Sequence, residues 1–374
     1  MGIFDSDLLS QALLATAPLV LAAMGELISQ RAGIINVGLE GYMLLGAFVG
    51  FWAAAELGSV PLGVLAAVGA GLALSAVMAA ASIEAGANQI VVGIALIILA
   101  GGLSAYVNKL AFGEQVERPS VTPMEPVALP GLHRIPGVGS ALFRQPVLVY
   151  VAFLLVPLVW ALLYRTRFGL GIRAVGDVPT AAEAAGMSVR LIRWSSTLAA
   201  GALGGLAGAF LSLVEVGAFI DDMSAGRGFL AIAAVVFGAW RPVWVVVGCF
   251  VFGGADALEL RLQGQPTVPR EVWFALMGVV ILFVAARLER QRRAAGVQAS
   301  LGPLRGVDPR SAVGLGAGLL VAGGLAFLGA IEPSFRLPDQ LWLATPYVLT
   351  LVALAGLHAR ATAPRFLGAS VSLR

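Results

Sequence analysis

Residues 88–110 read NQIVVGIALIILAGGLSAYVNKL. No charge interrupts the stretch before Lys109, and a helix of roughly 20 such residues crosses the hydrocarbon core of a bilayer. In lipid every backbone N–H and C=O must find a partner within the protein, so a run of this kind is a helix rather than an irregular segment. Similar runs lie at about 8–24, 38–57 and 60–82 before it. Others follow at about 146–164, 193–216, 241–261, 272–288, 312–331 and 340–358. One more, 226–239, is too short for a full crossing and must be broken or packed inside protein. The expectation is an all-α polytopic membrane helical bundle of about nine to eleven spans, with one or two broken or re-entrant helices.

Composition agrees with this. Of 374 residues, 59% are hydrophobic and 12% charged, far from the roughly 25% charged of a soluble domain. Cys249 stands alone, which excludes intrachain disulfides and cysteine metal clusters. The excess of basic residues forms no continuous stripe, so no nucleic acid partner is expected. His133 and His358 lie far apart in the predicted topology, without the spacing of a metal triad or a nucleophile and base, and no metal site is expected. No GxxxxGK[ST] phosphate loop occurs, so the chain lacks an ATPase site of its own and binds no cofactor.

Orientation follows from the flanking cations, which resist translocation. With the N-terminus outside, one face collects most of the arginines, including Arg31, Arg165, Arg167, Arg173, Arg190, Arg290, Arg292 and Arg293. That face is assigned to the cytoplasm, together with the C-terminus. The start, with Asp5 and Asp7, has no cationic region before the first span, which is expected to be retained. A Pro-rich loop at 111–145 is expected outside as an irregular cap.

Segment 165–192 is expected in the cytoplasm with one short helix. Asp177 is positioned to cap it, Pro179 falls in its first turn, Ala181, Ala182, Ala184 and Ala185 propagate it, and Gly186 ends it. Its small faces permit close approach, with Glu183 and Arg190 at the margin. It is either a plain bridge between spans or a docking element.

Polar residues at membrane depth are costly and mark packing contacts or a polar route. One concentration is Glu26, Gln30, Arg31, Asn36 and Glu40, interleaved with Gly25, Gly33, Gly38 and Gly41. It reads either as a short cytoplasmic turn or as a re-entrant segment lining a pathway. Asn88 and Gln89 offer amide donors and acceptors suited to a ribose hydroxyl or nucleobase edge, or else simply open a helix at the interface. Glu215, Asp221 and Asp222 precede the short segment 226–239, whose GRGF opening leaves helix amides free.

Several of these stretches together resemble permease subunits of ABC importers for nucleosides and simple sugars, in the superfamily that includes branched-chain amino acid and ribose permeases. They are GELISQRAGIINVGLEGYMLLGAF from Gly25, ANQIVVGIALIILAGGLSAYV from Ala87, GLGIRAVGDVPTAAEAAGM from Gly169, GRGFLAIAAVVFGAWRPV from Gly226, and the terminal PYVLTLVALAGLHARATAPRFLG from Pro346. The resemblance implies a permease core over 1–262 that contains a coupling loop at 165–192. Asp177, Pro179, Ala182, Glu183 and Gly186 would then meet a cytoplasmic ATP-binding subunit, which carries the ATP and Mg. It favours the re-entrant reading, with Asn36 and Glu40 facing the substrate pathway; by their amide chemistry Asn88 and Gln89 are expected along the same pathway, and Asp221 and Asp222 are expected in an outer vestibule facing an external substrate-binding lipoprotein. A second, different permease subunit is implied, giving a heterodimer in the bacterial inner membrane. The chain departs from the family after Leu260–Gln263: residues 263–338 hold an additional two-span insertion with the arginine-rich RLERQRRAAG, and 339–374 the final span and tail. Those arginines serve topological anchoring or anionic lipid. The competing readings are a stand-alone secondary transporter or channel for a small polar solute, with Glu40 and Asp256 as its deep acids, and a membrane enzyme acting on lipid.

Overall fold

A computed structural model describes residues 5–113, 120–135, 138–262, 277 and 363–369. Apart from residue 277, the expected spans at 272–288, 312–331 and 340–358, and with them the insertion 263–338, lie outside the described residues. Among the described residues, α1 (Ser6–Arg31), α2 (Leu39–Leu57), α3 (Val60–Ala79), α4 (Gln89–Phe112), α6 (Val147–Arg165), α9 (Val189–Phe210) and α11 (Pro242–Leu262) are the long helices. Wider π turns extend α3 to Glu84 and α9 to Val216. Six of these elements are long and apolar enough to cross a membrane: α1, extended α3, α4, α6, extended α9 and α11. The chain is therefore a multi-pass, all-α membrane protein. The shorter helices are α5 (Gly139–Phe143), α7 (Arg167–Asp177), α8 (Pro179–Ala184) and α10 (Arg227–Phe237).

Helix α1 begins where Asp5 Oδ1 accepts the amides of Asp7 and Leu8 at 3.1 and 3.0 Å, two donors that no preceding turn could satisfy. It runs well past the expected end near residue 24, because Glu26 and Gln30, one turn apart, bond to each other instead of ending it. Its interior positions from Ala17 to Gln30 are all buried, with α9, α6 and α10 packed around it.

Helices α2, α3 and α9 meet through glycine. A Cβ on Gly46 would lie 2.6 Å from the Gly205 carbonyl oxygen, and one on Gly205 would strike the Ala67 carbonyl. In lipid, where no hydrophobic force drives helices together, such close backbone approach supplies the dispersion contacts.

The loop expected as an irregular cap has some order. Val127–Ala128 (β1) pairs antiparallel with Arg144–Gln145 (β2), Val127 opposite Gln145. Gln145 Nε2 reaches Ser10 Oγ at 2.9 Å, so the loop is fastened to the N-terminal part of α1. Val121 N–H also donates to the Gly217 carbonyl at 2.8 Å, which ties the loop to the end of α9.

Candidate functional site

Between Arg31 and Leu39 the chain is not helical, and most of it is buried inside the bundle. The concentration around Asn36 is thus not a solvent-facing turn. Gly33 adopts φ +90°, in the region open to glycine, and lets the chain double back at the end of α1. The free amides of the break are taken by side chains: Ile35 N–H donates to Gln89 Oε1 at 2.8 Å, and Asn36 N–H to Glu26 Oε1 at 3.1 Å. The same Glu26 oxygen accepts from Gln30 Nε2 at 2.8 Å, and Gln30 Oε1 accepts from Trp240 Nε1 at 2.6 Å. A buried polar seam therefore runs Trp240, Gln30, Glu26, Asn36. Glu26 Oε2, both polar atoms of the Asn36 side chain and the Tyr42 hydroxyl are buried and make no well-formed hydrogen bond.

Beside the seam lies α10. Its 11 residues span about 16 Å, roughly half the hydrocarbon thickness. This is the short element foreseen at 226–239, and it is held at both ends by the α1–α2 region. At its N-terminus, Glu40 Oε1 accepts from Gly226 N–H at 2.8 Å and Glu40 Oε2 from Gly228 N–H at 2.6 Å. An anionic oxygen at a helix N-terminus meets both the unpaired amides and the positive end of the macrodipole. Arg227, next to these amides, reaches Asp256 at 3.3 Å. At the other end, Arg31 Nε and Nη2 donate to the Trp240 carbonyl at 3.0 and 2.5 Å, and Nη2 also to Tyr164 Oη at 3.3 Å. Ala239 and Trp240 have φ of 50° and 54°, an unfavourable conformation for residues with a Cβ, which the Arg31 and Gln30 bonds offset.

The predicted pathway residues thus divide. Asn36 and Glu40 are buried at the break and at α10. Asn88 is a helix cap, its Oδ1 accepting from Ile90 and Val91 N–H at 3.0 and 3.3 Å. Gln89 is buried and pins the break. Asp221 and Asp222 are exposed on the turn leading into α10, Asp222 with φ 60°. Gln30 and Glu26 stood in the expected polar concentration, one helical turn apart, whereas Tyr42 and Trp240 were not expected at the site because both read as apolar.

In segment 165–192 the short helix starts differently from the expectation. Asp177 does not cap the short helix. It is the last residue of α7, an additional helix capped by Thr166, whose Oγ1 accepts from Gly169 N–H at 2.9 Å; Val178 precedes α8 and makes no side-chain cap. Burial of Ile172 and Val175 on one face of RFGLGIRAVG explains why that stretch is helical despite its glycines. In α8, Pro179 and Ala182 are buried, while Thr180, Ala181, Glu183 and Ala184 are exposed; Gly186 at φ +81° ends the turn. The terminal segment lies across this region: Phe366 N–H donates to the Gly176 carbonyl and Gly368 N–H to the Gly33 carbonyl, both at 3.0 Å. Gly176 itself packs directly on the Arg31 carbonyl.

Among the described residues no cluster of three or more His, Cys, Asp or Glu side chains could hold a metal ion. Residues 8–285 match the family described as branched-chain amino acid transport system / permease component. A protein of Haloferax volcanii, provisionally named a glucose ABC transporter permease, is 40% identical over 70% of this chain and 79% of its own length. A guanosine ABC transporter permease of Bacillus subtilis is 36% identical over 66% of this chain and 80% of its own. A nucleoside ABC transporter permease of Lactococcus lactis is 32% identical over 69% and 84%. No solved structure matches the chain. With a match that covers most of the sequence and relatives aligned over most of their own length, the chain belongs to the branched-chain amino acid transport system permease component family, whose members are transport permeases and not catalysts.

Proposed function

We propose that this chain is the transmembrane permease subunit of an ATP-driven ABC importer for nucleosides or related sugars. The carrying observation is the continuity between the exposed face of α8 and the buried seam: α8 follows α7, and the α7 terminus at Gly176 rests on the Arg31 carbonyl, at the edge of the helix break. A cytoplasmic ATP-binding subunit grips α8 at Ala181, Glu183 and Ala184, and closure of the ATPases on ATP and Mg moves α7 and α8 as a lever. The break and α10 shift with them and exchange outward for inward access. The Arg31 end of the bundle faces the cytoplasm and the Gly217 end the exterior, with Asp221 and Asp222 toward an external binding lipoprotein. A second, different permease completes the pathway in the bacterial inner membrane. The guanosine, nucleoside and glucose names of the relatives support this substrate class. Reconstitution tests it: labelled guanosine and glucose enter proteoliposomes only when the ATP-binding subunit and ATP are present. Full uptake by the chain alone without nucleotide would instead make it a secondary transporter.

A further inference from the structure

We propose that Glu26, Asn36 and Tyr42 form a subsite for a hydroxyl group of the transported solute, so that the permease itself reads a neutral, ribose- or hexose-like ligand. This rests on the function proposed above. The observation is four buried polar atoms in one place that make no well-formed hydrogen bond: Glu26 Oε2, Asn36 Oδ1 and Nδ2, and Tyr42 Oη. All three residues have no exposed surface. The backbone of Asn36 is bonded to Glu26, and the Tyr42 hydroxyl lies near enough to the Asn36 side chain to pair with it, which leaves the second polar group of Asn36 and Glu26 Oε2 to be met by another molecule.

Buried polar atoms are nearly always satisfied, so a cluster of unsatisfied ones marks a place that a polar group occupies. The chemistry of the set narrows the occupant. Glu26 Oε2 and Asn36 Oδ1 accept, Asn36 Nδ2 donates, and the Tyr42 hydroxyl does either. A hydroxyl, which donates once and accepts twice, satisfies such a mixture, whereas a cation would face the Asn36 N–H groups. The cluster sits at the only described break between long helices that is both buried and flanked by a half-helix, where small movements open interior surface. Glu40, the cap of α10, lies two residues before Tyr42, so displacement of α10 and exposure of the cluster involve the same turn of α2. A resident water presents the same chemistry as a solute hydroxyl, and the experiment separates the two.

The complete importer is reconstituted in proteoliposomes and supplied with saturating loaded binding protein, so that delivery no longer limits. Maximal rates are compared for guanosine and its analogue lacking both ribose hydroxyls. Tyr42→Phe removes one oxygen and retains the ring; Glu26→Gln retains the shape and exchanges one acceptor for a donor. Each should lower the wild-type preference for guanosine over the analogue by roughly three- to tenfold, the loss of one hydrogen bond, with little change in the rate for the analogue. A preference equal to wild type in both variants, in complexes that retain ATPase activity, would overturn the subsite and assign the cluster a resident water. If the wild-type importer moves neither guanosine nor glucose, the proposed function falls and the subsite with it.

Discussion

Replacing Glu40 by Ala should loosen α10 from its N-terminal end. The substitution takes the acceptors from Gly226 N–H and Gly228 N–H, now held at 2.8 and 2.6 Å, and removes a charge from the positive end of the helix. A hydrogen bond to a charged group is worth about 1.5–3 kcal/mol. A carboxylate at a partly buried helix N-terminus contributes up to about 2 kcal/mol. These overlap, because the same charge does both, so the local cost is about 3–5 kcal/mol rather than the full sum. Glu40→Gln keeps one acceptor oxygen and should lose about half of that. Amide hydrogen exchange over residues 224–232 of the detergent-solubilised protein reads the difference directly. At a local loss of about 3 kcal/mol, exchange should quicken by about two powers of ten. The order expected is wild type, Gln, Ala, from most to least protected, with the long helices α1 and α9 unchanged. Wild-type protection of this segment in Glu40→Ala would refute the view that this carboxylate holds the half-helix.

Gly205→Leu places a side chain against the Ala67 carbonyl, a backbone atom that cannot yield, so its cost should exceed the usual overpacking range of about 1–3 kcal/mol and abolish the monodisperse species on size exclusion. Gly69→Ala, where a Cβ would meet nothing within 4 Å, should leave that species intact. Phe366→Pro removes the N–H that donates to the Gly176 carbonyl, so uptake should fall roughly three- to tenfold while the ATP-binding subunit still co-purifies; unchanged uptake would show that the terminal segment carries no force. Glu183→Arg reverses an exposed charge on α8, and Ala182→Trp overfills a buried position beneath it; both should abolish co-purification of the ATP-binding subunit, the first with the bundle intact by thermal stability.

The long helices were legible because hydrocarbon permits few alternatives: an uncharged run such as 88–108 has to satisfy its own backbone. The half-helix α10 was legible for the same reason, being too short to cross. Helix α7 was hidden by Gly169, Gly171 and Gly176, which in a soluble chain would signal breaks. Here Gly169 packs on the backbone of Leu162 and Leu163, and Gly176 on that of Arg31, so two of the glycines mark close approach instead. Asn88 and Gln89 show the limit of composition as a guide. Adjacent on one helix end, they point differently, one capping its own helix and the other reaching Ile35, 54 residues earlier. The pairing of Glu40 with Gly228, 188 residues apart, leaves no local trace at all.

The way α10 is held bears on how the proposed importer could move. A helix continuous with its neighbours shifts only by bending them. Helix α10 is bounded by left-handed residues at each end, Ala225 and Gly226 before it and Ala239 and Trp240 after it, and its termini are fixed by the side chains of Glu40 and Arg31. Its translation as a unit requires those bonds and the Arg227–Asp256 pair to be remade and its buried face at Leu230, Ala231, Ala234 and Val235 to slide, while α1 and α9 keep their internal ladders. The lever for such a shift is close at hand. Gly176, at the end of α7, touches the backbone of Arg31, whose guanidinium grips Trp240, and Trp240 in turn bonds Gln30 in the seam. Backbone against backbone leaves no space to absorb displacement, since packed interiors compress little. A push on α8 that moves Gly176 must then move Arg31 or break its hold on Trp240, and either result changes the position of α10 relative to Glu26 and Asn36.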